Sequence, residues 1–261
     1  MYDKALAVDP YDIVALNNKG LALKNLSKYE EAITLYDRAL EIDPKEVDVL
    51  TNKAAALDEL GKYEEAITWY DKALAVDPID KVILFNKGVT LTKLGSYHEA
   101  ITWYDKALKV DPKFANALFN KGVAFLQLGR IEEAISWFDK ALEIDPKAVD
   151  ALYNKGLALT ELDRYEEAIT LYEKALAIDP LFVRALTSKG TALYNLGEHE
   201  EAITWYDKSL AIDPKTVDAL INKGAALDTL GKKQDALEAL DKALAIDPTN
   251  EKALGLKSLI R

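Results

Sequence analysis

Apolar residues in this chain recur in paired blocks with helical spacing. In residues 115–128, Leu118, Gly122, Phe125 and Leu128 follow steps of four, three and three, and in residues 131–144, Ala134, Phe138, Ala141 and Leu142 share one face. Each block predicts an amphipathic helix, with Gly129-Arg130 as the break between them. The break position is Gly at 61, 95, 129, 197 and 231, and Ser27 and Asp163 replace it in two units. Glycine suits a left-handed helix-ending residue because it has no Cβ to clash there. All eight prolines follow Asp, at 10, 44, 78, 112, 146, 180, 214 and 248, so the period is 34 residues with no insertion or deletion. Proline disfavours helix in the residue before it, so Asp-Pro should divide one unit from the next, with Asp as a cap and Pro opening the following helix. The expected fold class is all-α, built from alternating helical hairpins.

Composition narrows the function without identifying it. Hydrophobic residues make up 49% of 261, enough for a substantial core. There is no cysteine, which removes disulfides and thiolate chemistry and fits a reducing compartment, so a cytoplasmic location is expected. A net charge of −11 opposes phosphate backbones and anionic lipid, so neither nucleic acid nor a membrane is an expected partner. The first residues lack the basic and apolar regions of a signal peptide, and no window approaches a membrane span.

A tripeptide marks every unit. Asn-Lys-Gly occurs at 18–20, 86–88, 120–122, 154–156 and 222–224, with Asn-Lys-Ala at 52–54 and Ser-Lys-Gly at 188–190. With the 34-residue period, the Asp-Pro boundaries and the apolar positions Leu118, Gly122, Phe125, Ala134, Phe138, Ala141 and Pro146, the units resemble tetratricopeptide repeats over the whole chain. The resemblance implies an α-solenoid of antiparallel helix pairs in a right-handed superhelix. It phases the chain as a single array of seven full repeats, 13–46, 47–80, 81–114, 115–148, 149–182, 183–216 and 217–250. Residues 1–12 form a partial second helix and 251–261 a partial first helix. Such complementary ends suggest head-to-tail self-association. Two departures from the family pattern stand out: Leu16, Leu50, Leu84, Leu118, Leu152, Leu186 and Leu220 take the place of Trp, and Lys takes the place of the usual Leu before Gly.

Helical angle separates the tripeptide into distinct roles. At about 100° per residue, Leu118, Lys121, Gly122, Phe125 and Leu128 share the core arc, and Asn120 lies nearly opposite. Lys121 and its equivalents Lys19, Lys53, Lys87, Lys155, Lys189 and Lys223 therefore need either a snorkelling amine or a carboxylate, such as Asp139 or Asp145 for Lys121. In the family, the side bearing Asn120 lines the concave surface that takes ligands. There Asn18, Asn52, Asn86, Asn120, Asn154 and Asn222 would form a ladder, interrupted by Ser188, able to hold an extended peptide by its backbone. This is similar to the asparagine ladder of the tetratricopeptide superhelix in O-linked N-acetylglucosamine transferases. Alternatively, each amide bonds a neighbouring repeat or is merely solvated.

Repeats three to five differ from the rest in carrying Phe85, Phe119 and Tyr153 beside the Asn row, with Val89, Val123 and Leu157 one turn on and Leu126 nearby. These residues either form an exposed contact patch or pack against adjacent helices. Inward acidic residues, Asp48, Asp58, Glu59, Asp150, Glu161, Asp218 and Asp228, outnumber Lys24, Lys93 and Arg184 and favour a neutral to mildly basic peptide. The combination of inward Lys, Asn and Arg by which some family members hold acidic chaperone tails is missing.

Catalytic chemistry is not indicated. His98 and His199 lie three repeats apart, no metal, phosphate-loop or nucleophile motif occurs, and no cofactor is expected. Trp69, Trp103, Trp137 and Trp205 share one second-helix position and read as packing between repeats. The function expected is a non-catalytic protein-interaction scaffold. A substrate-recognition arm of a larger enzyme, a self-associating array and a helical-repeat RNA binder are the alternatives.

Overall fold

The computed structural model describes residues 2–260, which are helical with short turns and contain no strand among the described residues. The chain divides into two compact units, Met1–Arg130 and Ile131–Arg261. The first contains α1 (Tyr2–Val8), α2 (Ile13–Asn25), α3 (Tyr29–Ile42), α4 (Val47–Glu59), α5 (Tyr63–Val76), α6 (Lys81–Lys93), α7 (Tyr97–Val110) and α8 (Ala115–Gln127). The second contains α9 (Ile131–Ile144), α10 (Val149–Glu161), α11 (Tyr165–Ile178), α12 (Val183–Asn195), α13 (His199–Ile212), α14 (Val217–Thr229), α15 (Lys233–Ile246) and α16 (Glu251–Ile260). Each unit is an α-solenoid of hairpins in which every helix packs on its sequence neighbours. In the first unit α2, α4, α6 and α8 also approach one another in turn, as do α10, α12, α14 and α16 in the second, whereas successive second helices do not. The even-numbered first helices therefore line the inner side of each stack.

The turns explain the observed helix boundaries. Gly61, Gly95, Gly129, Gly197 and Gly231 have φ between +69° and +85°, and Ser27 and Asp163 hold φ of 59° and 57° at the same position. This left-handed residue lets the next amide reach back and satisfy helix-end carbonyls, as when Lys62 N–H donates to Leu57 O at 2.9 Å.

Asp-Pro acts differently from the expectation. Asp43, Asp77, Asp111, Asp179, Asp213 and Asp247 each end the preceding second helix in an extended conformation, and the next helix starts three residues after the proline. The Asp carboxylate instead accepts from the amide just beyond the proline, at 2.9 Å for Lys45 and 3.0 Å for Lys113. Proline has no N–H and fixes its own φ, so it fits inside this Asx turn and not at the helix start.

The core is a column of small residues facing rings. Ala32, Ala66 and Ala100 are fully buried in the first unit, as are Ala168, Ala202 and Ala236 in the second. Gly88 faces Tyr104 so closely that an added Cβ would lie 2.6 Å from the ring, and Gly156 faces Tyr172 at 2.5 Å. Ala54 occupies the same position opposite Tyr70, so a hairpin can open slightly to admit one methyl group.

Gly88→Ala should therefore destabilise the protein by about 1 kcal/mol in urea denaturation: overpacking costs about 1–3 kcal/mol and the better helix propensity of Ala returns about 0.5–1 kcal/mol. Ser27→Gly should act in the opposite direction by up to about 1 kcal/mol, because it relieves a left-handed non-glycine residue.

Candidate functional site

The lysine of the tripeptide is a structural group. In the first unit Lys19 pairs with Asp3 at 2.6 Å, Lys53 with Asp37, Lys87 with Asp71 and Lys121 with Asp105. In the second, Lys155 pairs with Asp139 at 2.5 Å, Lys189 with Glu173 at 2.6 Å, Lys223 with Asp207 at 2.5 Å and Lys257 with Asp241. The carboxylate always lies sixteen residues back, on the preceding second helix. This corrects the expected partners of Lys121: the carboxylate that meets it is Asp105, and Asp139 is taken by Lys155.

A tryptophan completes the arrangement. The Lys53 ammonium lies 3.6 Å from the ring centroid of Trp69, with Lys72 at 3.5 Å from the same centroid. Lys87 and Lys106 flank Trp103 at 3.9 and 3.5 Å, and Lys189 and Lys208 flank Trp205 at 3.8 and 3.6 Å. Lysines 53, 87, 121 and 189 are at most 7% exposed. Desolvation of such an ammonium is offset by one carboxylate and, in the tryptophan repeats, one π face. The tryptophans do pack between repeats, but as cation receptors.

The asparagines occupy the inner side of each unit, and all six are half-buried. In the first unit Asn52 Nδ2 donates to Asn17 Oδ1 of the neighbouring repeat at 3.0 Å, and Asn120 Nδ2 donates to the carbonyl of Asn116 in its own helix at 2.9 Å. In the second, Asn154 donates to the Asp150 carbonyl at 2.8 Å, while Asn222 donates to Thr191 Oγ1 at 3.2 Å and accepts from Lys252 at 2.8 Å. The amides thus follow two patterns, bonds to their own helix and bonds to a neighbour.

The aromatic positions are less exposed than a contact patch requires. Phe85 lies 5.9 Å from Tyr104 and 5.1 Å from Phe114 between ring centroids. Tyr153 is only 7% exposed, and lies 6.0 Å from Tyr172 and 5.0 Å from Phe182. Both rings pack against neighbouring rings; Tyr153 is buried, which corrects the expectation of exposure there, and Phe85 is half-buried. Phe119, Val89, Val123, Leu126 and Leu157 are half-buried. They keep some surface on the inner side.

Charges on this side are partly paired. Lys93 pairs with Asp58 and lies 3.6 Å from Glu59, and Arg184 lies 3.8 Å from Asp150. Asp48, Glu161, Asp218 and Asp228 form no ion pair among the described residues. Asp58, placed with the other inward carboxylates by the sequence, is the buried one among them. It is 7% exposed and its Oδ1 lacks a hydrogen-bond partner; burial of the Tyr70 hydroxyl, and then the Asp58 charge, hold that hydroxyl well above the usual tyrosine range. The signal was present: Thr92 and Thr160 hold the equivalent position, and each bonds the buried Tyr104 or Tyr172 hydroxyl at 2.8 or 3.0 Å. Among the described residues no group of three or more His, Asp or Glu is placed to hold a metal ion, and no helix is long and apolar enough to cross a membrane.

Family models described as tetratricopeptide repeat match residues 11–78, 153–216 and 217–250. A further model, anaphase-promoting complex, cyclosome, subunit 3, matches residues 93–175. No curated protein matches the sequence. Among solved structures, YrrB, described as a TPR protein with an unusual peptide-binding site, is 28% identical with a TM-score of 0.61, covering 72% of this chain and 97% of its own. MamA is 28% identical with a TM-score of 0.59, covering 65% of this chain and 92% of its own. A tetratricopeptide repeat protein from Parabacteroides merdae shares the fold at 22% identity and a TM-score of 0.72, covering 95% of this chain and 98% of its own.

The lysine pairs should be asymmetric to mutation. Lys87→Ala removes a buried group and leaves Asp71, whose side chain is 53% exposed, to water, and should cost about 1–2 kcal/mol. Asp71→Ala strands a buried ammonium and should cost more, about 2–4 kcal/mol. Urea denaturation of the two variants gives the order directly.

Proposed function

Because the chain belongs to the tetratricopeptide repeat family, we propose that it is a non-catalytic interaction scaffold whose first-helix faces bind an extended peptide or protein segment. The observation that carries this reading is the row of half-buried asparagines on the inner side of each unit, spaced by one repeat and backed by lysines already committed to carboxylates. A carboxamide offers two donors and an acceptor, so a row of them can hold a polypeptide backbone whatever its side chains. Asn120 and Asn154 bond their own helices, which fixes the amide plane before a ligand arrives and lowers the entropy cost of binding. Val89, Val123, Leu126, Leu157 and Phe119 supply the apolar part of the contact surface; Phe85 and Tyr153 support it from below.

The ligand chemistry follows from charge. Asp48 in the first unit and Glu161, Asp218 and Asp228 in the second favour a neutral to mildly basic segment over an acidic one. The likeness to YrrB, with its peptide-binding site, supports the same class of ligand. A cytoplasmic location fits the cysteine-free composition.

A peptide array probed with the protein tests the proposal. Asn86→Ala/Asn120→Ala in the first unit, or Asn154→Ala/Asn222→Ala in the second, should weaken the strongest hits about tenfold, as expected from about 1 kcal/mol or less for each hydrogen bond removed. The melting temperature should change little in the first-unit variant, where the Asn120 donor serves only its own helix, and should fall in the second-unit variant, where Asn222 bonds Thr191 and Lys252 on neighbouring helices. Unchanged binding by both double variants would overturn the ladder.

A further inference from the structure

Consecutive second helices in each unit leave a groove between them, floored by the first helix that joins them. The residue at one position of the second helix decides how that groove is filled. Between α3 and α5 an opening of about 500 Å³ is bounded by Ile33, Asp37, Lys53 and Leu57, and Trp69 forms its wall. Between α11 and α13 the opening is about 400 Å³ and lies at the other end, against Leu176, Pro180 and Leu186, with Trp205 as the wall. Between α13 and α15 the corresponding residue is Ala239, and the two openings are one cavity of about 530 Å³. Ile203, Asp207, Lys223 and Leu227 repeat the first set of lining residues, and Leu210, Pro214 and Leu220 repeat the second. An indole stands at this position in the grooves of Trp69 and Trp205, and here it is missing.

We propose that this groove is a binding site for the tryptophan side chain of a partner polypeptide. The apolar floor of Leu210, Pro214 and Leu220 matches the surface that the chain's own tryptophans cover. Two ammonium groups stand where the cations that flank the indole stand in other repeats: Lys223 corresponds to Lys53, and Lys242 to Lys72, which approach Trp69 at 3.6 and 3.5 Å. Lys223 keeps the carboxylate contact of its counterparts, with Asp207 at 2.5 Å, but has no ring, and Lys242 pairs with Glu238 at 2.8 Å. Glu238 replaces the Thr or Ser found at 34, 68, 102, 136, 170 and 204, so this repeat alone supplies a resting partner for that lysine. An incoming indole would give both ammonium groups the π face that their counterparts have in the tryptophan repeats.

A second copy of the chain is a poor source of the indole, because Trp69, Trp103 and Trp205 each carry two lysines and Trp137 carries Lys140 at 3.7 Å. The rim argues for a peptide with a cation beside the tryptophan. Asp207, Asp235 and Glu238 face two ammonium groups that are already paired, which leaves an excess of negative charge at the mouth. This face is separate from the asparagine row, and the two proposals fail independently.

The test is titration of the ¹⁵N-labelled protein with N-acetyl-Lys-Trp-Lys-amide, followed by amide shifts. Shifts should centre on Leu210, Leu220 and Ala239, and N-acetyl-Lys-Leu-Lys-amide should bind about tenfold more weakly. Ala239→Trp fills the groove with the chain's own indole, and should abolish the shifts and raise the melting temperature. Lys242→Gln keeps the groove and removes one cation, so it should weaken binding about two- to fivefold at an unchanged melting temperature, which decides the matter even if Ala239→Trp folds poorly. Shifts centred elsewhere, equal binding of the leucine peptide, or full binding by a folded Ala239→Trp variant would overturn the proposal. Free indole binding as tightly as the tripeptide would overturn the partner polypeptide in favour of a small aromatic molecule.

Discussion

A buried ammonium reaching back to the preceding hairpin is the constraint on which the stacking in each unit depends. Hydrophobic burial alone does not fix how one hairpin sits on the last, because Leu, Ala and Tyr surfaces can slide with little change in area. A lysine that must meet its carboxylate sixteen residues back, beneath a tryptophan face, tolerates much less displacement. Lys87 with Asp71 and Trp103 in the first unit, and Lys189 with Glu173 and Trp205 in the second, set the same register. The glycines beside Lys87 and Lys189 act within the hairpin: Gly88 and Gly190 let the Tyr104 and Tyr206 rings approach.

This constraint separates structure from function within one tripeptide. Lysine faces the preceding hairpin, glycine faces the second helix of its own hairpin, and asparagine, about 100° from the lysine, faces the inner side of the unit. Because the first helices are held by seam contacts, the inner side can vary between repeats without loss of fold. Asp58 with Lys93 between the second and third repeats, and Asp150 with Arg184 between the fifth and sixth, show that variation at work. The outer face varies too: at one second-helix position the chain carries Trp in four repeats, Leu at 35 and 171, and Ala at 239. At Ala239 the two openings of the groove join, whereas Leu35 and Leu171 place a branched side chain at that position, 6% and 8% exposed.

The fold was almost wholly legible in the sequence, because proline, glycine and helical periodicity act locally. The helix predicted over 131–144 is found there, and the one predicted over 115–128 ends one residue earlier, at Gln127. Asp-Pro was misread because the same dipeptide can open a helix or close an Asx turn, and only the bond from the Asp carboxylate to the amide after the proline distinguishes them. The site was less legible. Asp105 and Asp139 occupy the same place in successive repeats, so the period offers both to Lys121 and cannot choose between neighbours. Phe85 and Tyr153 stand one residue before the asparagine, at an angle between the inner side and the seam, and the rings of Phe114 and Phe182 draw them into the seam. Such choices depend on which helix lies alongside, and a single sequence does not contain that information.

The claim that the lysine pair couples one hairpin to the next is tested most directly by a double-mutant cycle on Lys189 and Glu173, read by chemical denaturation of Lys189→Met, Glu173→Gln and the double variant. A coupling energy of about 1 kcal/mol or more is predicted for a pair with one buried partner. A coupling near zero would show that apolar packing alone sets the register, and would contradict the structural role assigned to the lysine.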